Sequence, residues 1–290
     1  MFIPNKKLFY VFLGLISIVC FLIFSLNSSK NDLLKVYFLD VGQGDSILIQ
    51  TPAGQDILID GGPGKAVINE LDKHMSFWNR DIELMILTHP HADHVNGLVE
   101  VLKIYEVDQV LGFDIDYNSS TYKQWQKLIK EKEIDYSETL AGDKFILSKN
   151  LYLETLYPFE DITGQEFEDL NDASIVNRLC YFEHCFLFTG DNSKEIEKKL
   201  IANNLTVKAD VLKVGHHGSK YSSDRDFIKK VNPAYAIIQC GQDNRFDHPH
   251  EAAIERLNDQ DIEILRNDKD GEIFCQGFEE GIKCNRSNGK

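Results

Sequence analysis

The sequence predicts an α/β protein with two β-sheets covered by helices on their outer faces, and three observations carry that expectation. Short apolar runs with strand character cluster at both ends of the chain, with helical periodicities between and after them. Nearly every run ends in glycine or in a metal-ligand type of side chain. Seven of the nine histidines fall in three groups, each just after such a run, which is how one mouth of a sandwich reads in sequence.

Length and composition set the bounds. A chain of 290 residues with 43% hydrophobic side chains can bury a sizeable core. Residues 1–30 carry Lys6, Lys7 and Lys30 and no acids, so the net charge of −15 becomes −18 on residues 31–290. A domain so acidic is unsuited to general nucleic-acid binding, which relies on Lys and Arg against phosphates, although a local basic patch stays open. Leu8 to Leu26 is a 19-residue uncharged run preceded by Lys6 and Lys7. Its length suits a membrane anchor over a cleaved signal, and the lysines before it place the following domain outside the cytoplasm. A cleaved, secreted form is the alternative. The expected division is therefore 1–30, an anchor or signal segment, and 31–290, the catalytic domain. The cysteines lack CxxC spacing and are expected as buried free thiols, although Cys180 and Cys185 flank a tight turn and could face each other across a hairpin.

In chain order, Lys35–Val41, Ile47–Gln50 and Asp56–Asp60 read as strands with glycine-rich corners, suited to one edge of a sandwich. The buried strand Glu83–Leu87 leads into Thr88-His89-Pro90-His91-Ala92 and then Asp93-His94. In extended chain, side chains two apart point the same way, so His89 and His91 converge on one ion. Asp93 has N-cap chemistry for the following helix and sets its carboxylate beside the His94 imidazole, at a second ion. One loop thus offers four ligands to two cations, spaced about 3.5–4 Å as in two-metal hydrolases. A helix over 95–104, a strand over 108–113 and a helix over 122–133 continue the rhythm. Strands within 143–157 and 174–189 follow, and Glu160–Asp172 reads as an acidic surface loop near the site.

Asp191 closes the apolar run Phe186–Gly190, at a strand end, where it can serve a metal or merely cap the helix 193–202. The strand Ala209–Val214 ends in Gly215-His216-His217-Gly218-Ser219. Spacing does not decide between the two histidines; His216, first after the strand, is taken as the ligand, with His217 toward substrate or supporting the ligands from behind. Asp247-His248-Pro249-His250 follows the strand 235–240, and His248 is a candidate proton donor or ligand.

The HxHxDH pattern at His89, His91, Asp93 and His94 resembles the metallo-β-lactamase superfamily, and that resemblance implies a four-layer αββα sandwich and a metal-activated water. FLDVGQGDS, LIDGG, the KVxHHGS match at 213–219 and the GxxNxxxHP arrangement at Gly241, Asn244, His248 and Pro249 resemble the ComEC branch, associated with DNA uptake in competence. The likeness spans about residues 35–275. It implies that Asp60 supports the ligands from behind and that Asp191 bridges two metals. A further histidine found in many members is missing between the HxHxDH loop and Asp191; Asn171-Asp172-Ala173-Ser174 stands there, so Asn171 and Asp172 are candidates to complete or support the first site. Oxygen in place of imidazole loosens that site or favours manganese over zinc. The expected protein is a metal-dependent hydrolase with two divalent ions, Zn or Mn, held by His89, His91, Asp93, His94, Asp191 and His216, with catalysis by Asp93, His217 and His248. A phosphodiester, possibly in nucleic acid, is the expected substrate. Lactam, lactone or thioester hydrolysis is the alternative, as is a non-catalytic module of a DNA-uptake system.

Overall fold

The computed structural model describes residues 33–76 and 78–287, together with Phe12, Leu15, Ser17 and Ile18. The chain divides into two compact units, Met1–Asp32 and Leu33–Lys290. The expected membrane run Leu8–Leu26 lies outside the described residues apart from those four. Among the described residues no helix is long and apolar enough to cross a membrane.

In the second unit, two mixed sheets face each other. The first has the order β15-β14-β1-β2-β3-β4-β5-β6, from β1 (Leu34–Phe38), β2 (Ile47–Gln50), β3 (Asp56–Ile59), β4 (Asp81–Ile86), β5 (Glu106–Leu111), β6 (Asp135–Ser137), β14 (Ile273–Phe278) and β15 (Gly281–Arg286). The second has the order β13-β12-β11-β10-β9-β8-β7, from β7 (Lys144–Ser148), β8 (Leu151–Tyr157), β9 (Val176–Tyr181), β10 (His184–Phe188), β11 (Val211–Lys213), β12 (Tyr235–Ile238) and β13 (Glu263–Arg266). Helices α1 (Ala66–His74), α2 (Ala92–Leu102) and α3 (Ser120–Glu131) cover the first sheet; α4 (Lys194–Ala202), α5 (Arg225–Val231) and α6 (Glu251–Asn258) cover the second, and α7 (Asn267–Asp270) follows β13.

Alternation along the strands builds these layers, because successive side chains point to opposite faces. On β1, Leu34, Val36 and Phe38 enter the core between the sheets, while Tyr37 turns outward to the helix-covered side. On β10, Phe186 and Phe188 face inward and Leu187 packs toward α4 and α5. Strands buried on both faces read as continuous apolar runs, which is why β3, β4, β10 and β11 stood out in the sequence.

Three expectations are corrected here. The first three strands are not an edge: β14 pairs antiparallel with β1, Leu34 opposite Gly277, and β15 lies outside it. Asp93 does not cap its helix. The chain turns helical at Ala92 with His91 at the cap position, so Asp93 sits in the first turn, still favoured there by the helix dipole. The cysteines are not all free thiols: Cys180 pairs with Cys185 across β9 and β10, and Cys275 with Cys284 across β14 and β15, each at directly opposed positions. The second pairing was hidden because no hairpin was expected beyond residue 275. Cys240 is free and buried.

Candidate metal centre

Strands β3, β4 and β5 run parallel in one sheet, and β10, β11, β12 and β13 in the other. The C-terminal ends of parallel strands are where α/β sheets gather ligands, and these loops hold Asp60, His89 to His94, Asp191, His216, His217 and His248.

Asp60 leaves β3 in a left-handed conformation (φ 56°) and is 1% exposed. Its Oδ1 accepts the Thr88 backbone N–H at 2.9 Å, and its Oδ2 accepts the Thr88 hydroxyl at 2.7 Å and lies 2.8 Å from His94 Nδ1. That contact fixes the His94 ring with Nε2 pointing into the site, the way a carboxylate orients a ligating imidazole. Helix α2 can approach Asp60 because two glycines meet: Gly61 N–H donates to the His94 carbonyl and Gly97 N–H to the Gly62 carbonyl, both at 2.9 Å.

Around that ring the donors converge. His94 Nε2 lies 3.3 Å and His217 Nε2 3.1 Å from Asp191 Oδ2, and His217 Nε2 lies 3.4 Å from Asp93 Oδ2. Despite these distances, neither Nε2 has a hydrogen-bond partner, nor does Asp191 Oδ1, although all three residues are almost fully buried. Buried polar atoms that approach one another without bonding fit a common cation among them. Two ligand groups stand out, His89 with His94 and Asp191, and Asp93 with His94 and His217. His89 Nε2 is 3.0 Å from His91 Nδ1, and His91 Nδ1 is 3.0 Å from Asn171 Oδ1. Asn171 thus stands beside the His91 ring. Asp172 is in none of the ligand groups; its backbone carbonyl accepts the Tyr157 hydroxyl.

Of the two adjacent histidines, the geometry brings His217 into the donor cluster, where the sequence had pointed to His216. His216 and His217 both adopt left-handed backbone (φ 48° and 53°), so the chain turns back rather than running on from β11. The His217 ring is held by its Nδ1 against the Gln239 carbonyl at 2.9 Å and joins the cluster, while His216 is in none of the ligand groups. Extended-strand spacing could not show this turn. His216 faces His248 instead, ring centroids 5.4 Å apart.

Two residues went unassigned in the sequence. Lys213, fully buried, pairs with Asp45 at contact distance, donates to the Gly190 carbonyl at 2.9 Å and lies 3.6 Å from Asp191 Oδ1. Asp45 Oδ1 lies 3.3 Å from His217 Nδ1. Both residues stand inside segments noted for their resemblance, and a lysine closing an otherwise apolar strand was the available signal.

Electrostatics match the donor set. Burial alone would raise the Asp191 pKa, but the His217 and His94 imidazoles outweigh it and hold the carboxyl well below the usual range. Burial lowers His94 and His217, yet Asp191 with Asp60, and Asp191 with Asp45, hold them well above the ordinary imidazole value. These shifts favour the ionised Asp191 carboxylate and the protonated His94 and His217 rings, so a cation bound there would displace protons and bind more tightly as pH rises. His248 is different: burial and the neighbouring His217 and His216 push its pKa down to about 4, so its ring is neutral at pH 7. Outside the cluster, His74 bonds Glu272 at 2.6 Å and His184 lies 3.2 Å from Asp210, both structural pairs.

A sandwich of two sheets between helices, with imidazoles and carboxylates gathered at one mouth, defines a class of metal-binding hydrolase folds. The sequence pattern of the Metallo-beta-lactamase superfamily matches residues 39–242, and the chain belongs to that superfamily. It is 30% identical over 259 residues to ComE operon protein 3 of Bacillus subtilis, covering 82% of this chain and 32% of that one. It is 28% identical over 252 residues to competence protein ComA of Neisseria gonorrhoeae, covering 85% and 33%. These relatives bear out the resemblance to the ComEC branch, and the chain spans about a third of their length. Among solved structures, the metallo-beta-lactamase fold protein YhfI from Bacillus subtilis superposes with a TM-score of 0.54 at 15% identity, covering 81% of this chain and 96% of that one, a likeness of fold.

Proposed function

We propose that this chain is a metal-dependent phosphodiesterase working outside the cytoplasm on a membrane tether. One observation carries the reading: the convergence of His94 Nε2, His217 Nε2, Asp93 and Asp191 at the sandwich mouth, where both Nε2 atoms and Asp191 Oδ1 lack a hydrogen-bond partner, with His89, His91 and Asn171 forming a second set beside it. One divalent ion would be held by His89 and Asp191 with His91, which joins through its contact to His89, and the other by Asp93, His94, His217 and Asp191, with His94 also within reach of His89. When bound, such a pair supplies Lewis acidity and lowers the pKa of water from 15.7 to about 7. Asn171, an oxygen donor where many relatives have imidazole, favours manganese over zinc at the first site.

The protein's own groups then have separate tasks. Asp60 and the Gln239 carbonyl hold the two rings in their ligating orientation. Lys213 and Asp45 form a buried pair behind Asp191 that fixes the carboxylate's position. His248, neutral and with an unpartnered Nδ1, is placed to donate a hydrogen bond to the leaving oxygen.

The choice of a phosphodiester rests on the motifs that resemble the ComEC branch, associated with DNA uptake, and on the likeness to competence protein ComA. Two disulfides support a compartment outside the reducing cytoplasm, in keeping with the lysines before Leu8–Leu26. Lactam, lactone or thioester hydrolysis is the second reading, and a metal-binding module without turnover the third. The purified, metal-loaded chain is assayed on bis-p-nitrophenyl phosphate, a lactam and a lactone, with and without chelator. Chelator-sensitive hydrolysis of the diester is expected; turnover of the lactam or lactone alone selects the second reading, and no turnover the third.

A further inference from the structure

Two clefts flank the metal centre, and they differ in chemistry. On the His91 side, a cavity of about 380 Å³ is lined by Asp116, Tyr117, Glu166, Glu168 and Asp169. On the Asp93 side, a cavity of about 410 Å³ is lined by Pro63, Ala92, Asp93, Asn244, Arg245 and Phe246, with Gln43. A phosphate-bearing substrate is repelled by four carboxylates and drawn toward the guanidinium.

The second cleft is also built. Asn244 clamps its loop: the side-chain Oδ1 accepts the Phe246 and His248 backbone N–H groups at 3.2 and 3.0 Å, and Nδ2 donates to the Gly241 and His248 carbonyls. The Phe246 ring lies near parallel to His248, 5.8 Å between centroids at 23°, and is 43% exposed. The Arg245 guanidinium lies over the Phe246 ring, 4.7 Å from its centroid, and makes no ion pair among the described residues. A partly exposed aromatic ring with a guanidinium laid over it, lining a cleft with Asp93 and the apolar Pro63 and Ala92, offers a base both an aromatic and a guanidinium plane to stack on, as in sites for single-stranded nucleotides.

We infer that the cleft beside Asp93 is a nucleoside subsite, in which one nucleobase stacks on Phe246 and the adjoining phosphate meets Arg245. This rests on the phosphodiesterase reading for its turnover assay and stands apart from it in its binding assay. On the manganese-loaded full chain, the kcat/KM ratio of thymidine 5′-(p-nitrophenyl phosphate) over methyl p-nitrophenyl phosphate falls about tenfold in Phe246→Ala, the scale of one base stacked on an aromatic ring. Phe246→Trp restores it. A phosphorothioate-linked pentathymidylate binds the wild type more tightly than an abasic oligomer of equal length, and Phe246→Ala abolishes that preference. Arg245→Ala lowers the slope of log affinity against log salt by about one. An unchanged substrate ratio in Phe246→Ala, or equal binding of base-bearing and abasic oligomers, overturns the subsite. If neither ester is hydrolysed while the Phe246-dependent base preference persists, the subsite stands and the hydrolytic reading falls.

Discussion

Removing the Lys213 ammonium leaves the buried Asp45 carboxyl with only the His217 ring beside it, the costly way to break a buried pair. Lys213→Met is expected to lose about 3–5 kcal/mol in urea unfolding. His217→Ala is expected to lower bound metal more than His216→Ala, read by elemental analysis after dialysis, because only the His217 ring reaches Asp93 and Asp191. His248→Ala is expected to keep the metal and lower the rate about 10²-fold, the lower end for a lost acid–base group, since its ring is neutral at rest. At this scale the sequence told residue types well and directions poorly. The HxHxDH loop was legible because extended spacing and strand-end position place its side chains. The choice between His216 and His217 was not, because it turns on two successive left-handed residues, and Lys213 and Asp45 have partners far along the chain.

Helix α2 brings Asp93 and His94 to the site only as closely as Gly97 allows. A Cβ built at Gly97 would stand 1.7 Å from the Gly61 carbonyl oxygen, a backbone atom that no rotamer change relieves. Gly97→Ala is therefore expected to cost at least about 1–3 kcal/mol, as overpacking does, and to lower metal retention together with stability. A second tie joins α4 to the start of α5: the buried Glu197 carboxylate accepts the Ser223 and Asp224 backbone N–H groups, both at 2.7 Å. Burial pushes its pKa up to about 8 from 4.5 even so. The folded state therefore holds this proton more tightly than the unfolded chain, and the associated stability, full below about pH 4.5, is lost as pH rises through about 8. Thermal melts across that window are expected to show the loss in the wild type and a flatter profile in Glu197→Gln. Strands buried on both faces were legible as apolar runs. Helices α1, α5 and α6 were not, since each is short, and α1 and α6 have no side-chain cap bond.

Across the whole molecule, the net charge of −15 repels phosphate, and of the two clefts only the one beside Asp93 carries an arginine, as the proposed phosphodiester substrate would require. The sandwich itself was legible from strand ends that alternate with helices, whereas the outer hairpin β14–β15 escaped because pairing of β14 with β1 joins the two ends of the chain. The central claim is the two-cation centre, and the most direct test is the metal content of the purified chain after saturation with manganese and dialysis, beside Asp191→Asn. Close to two ions per chain on saturation, one of them lost more readily, and a loss of both in the variant is the predicted result. Less than half an ion per chain under saturating conditions, or a variant that binds as the wild type does, would contradict it.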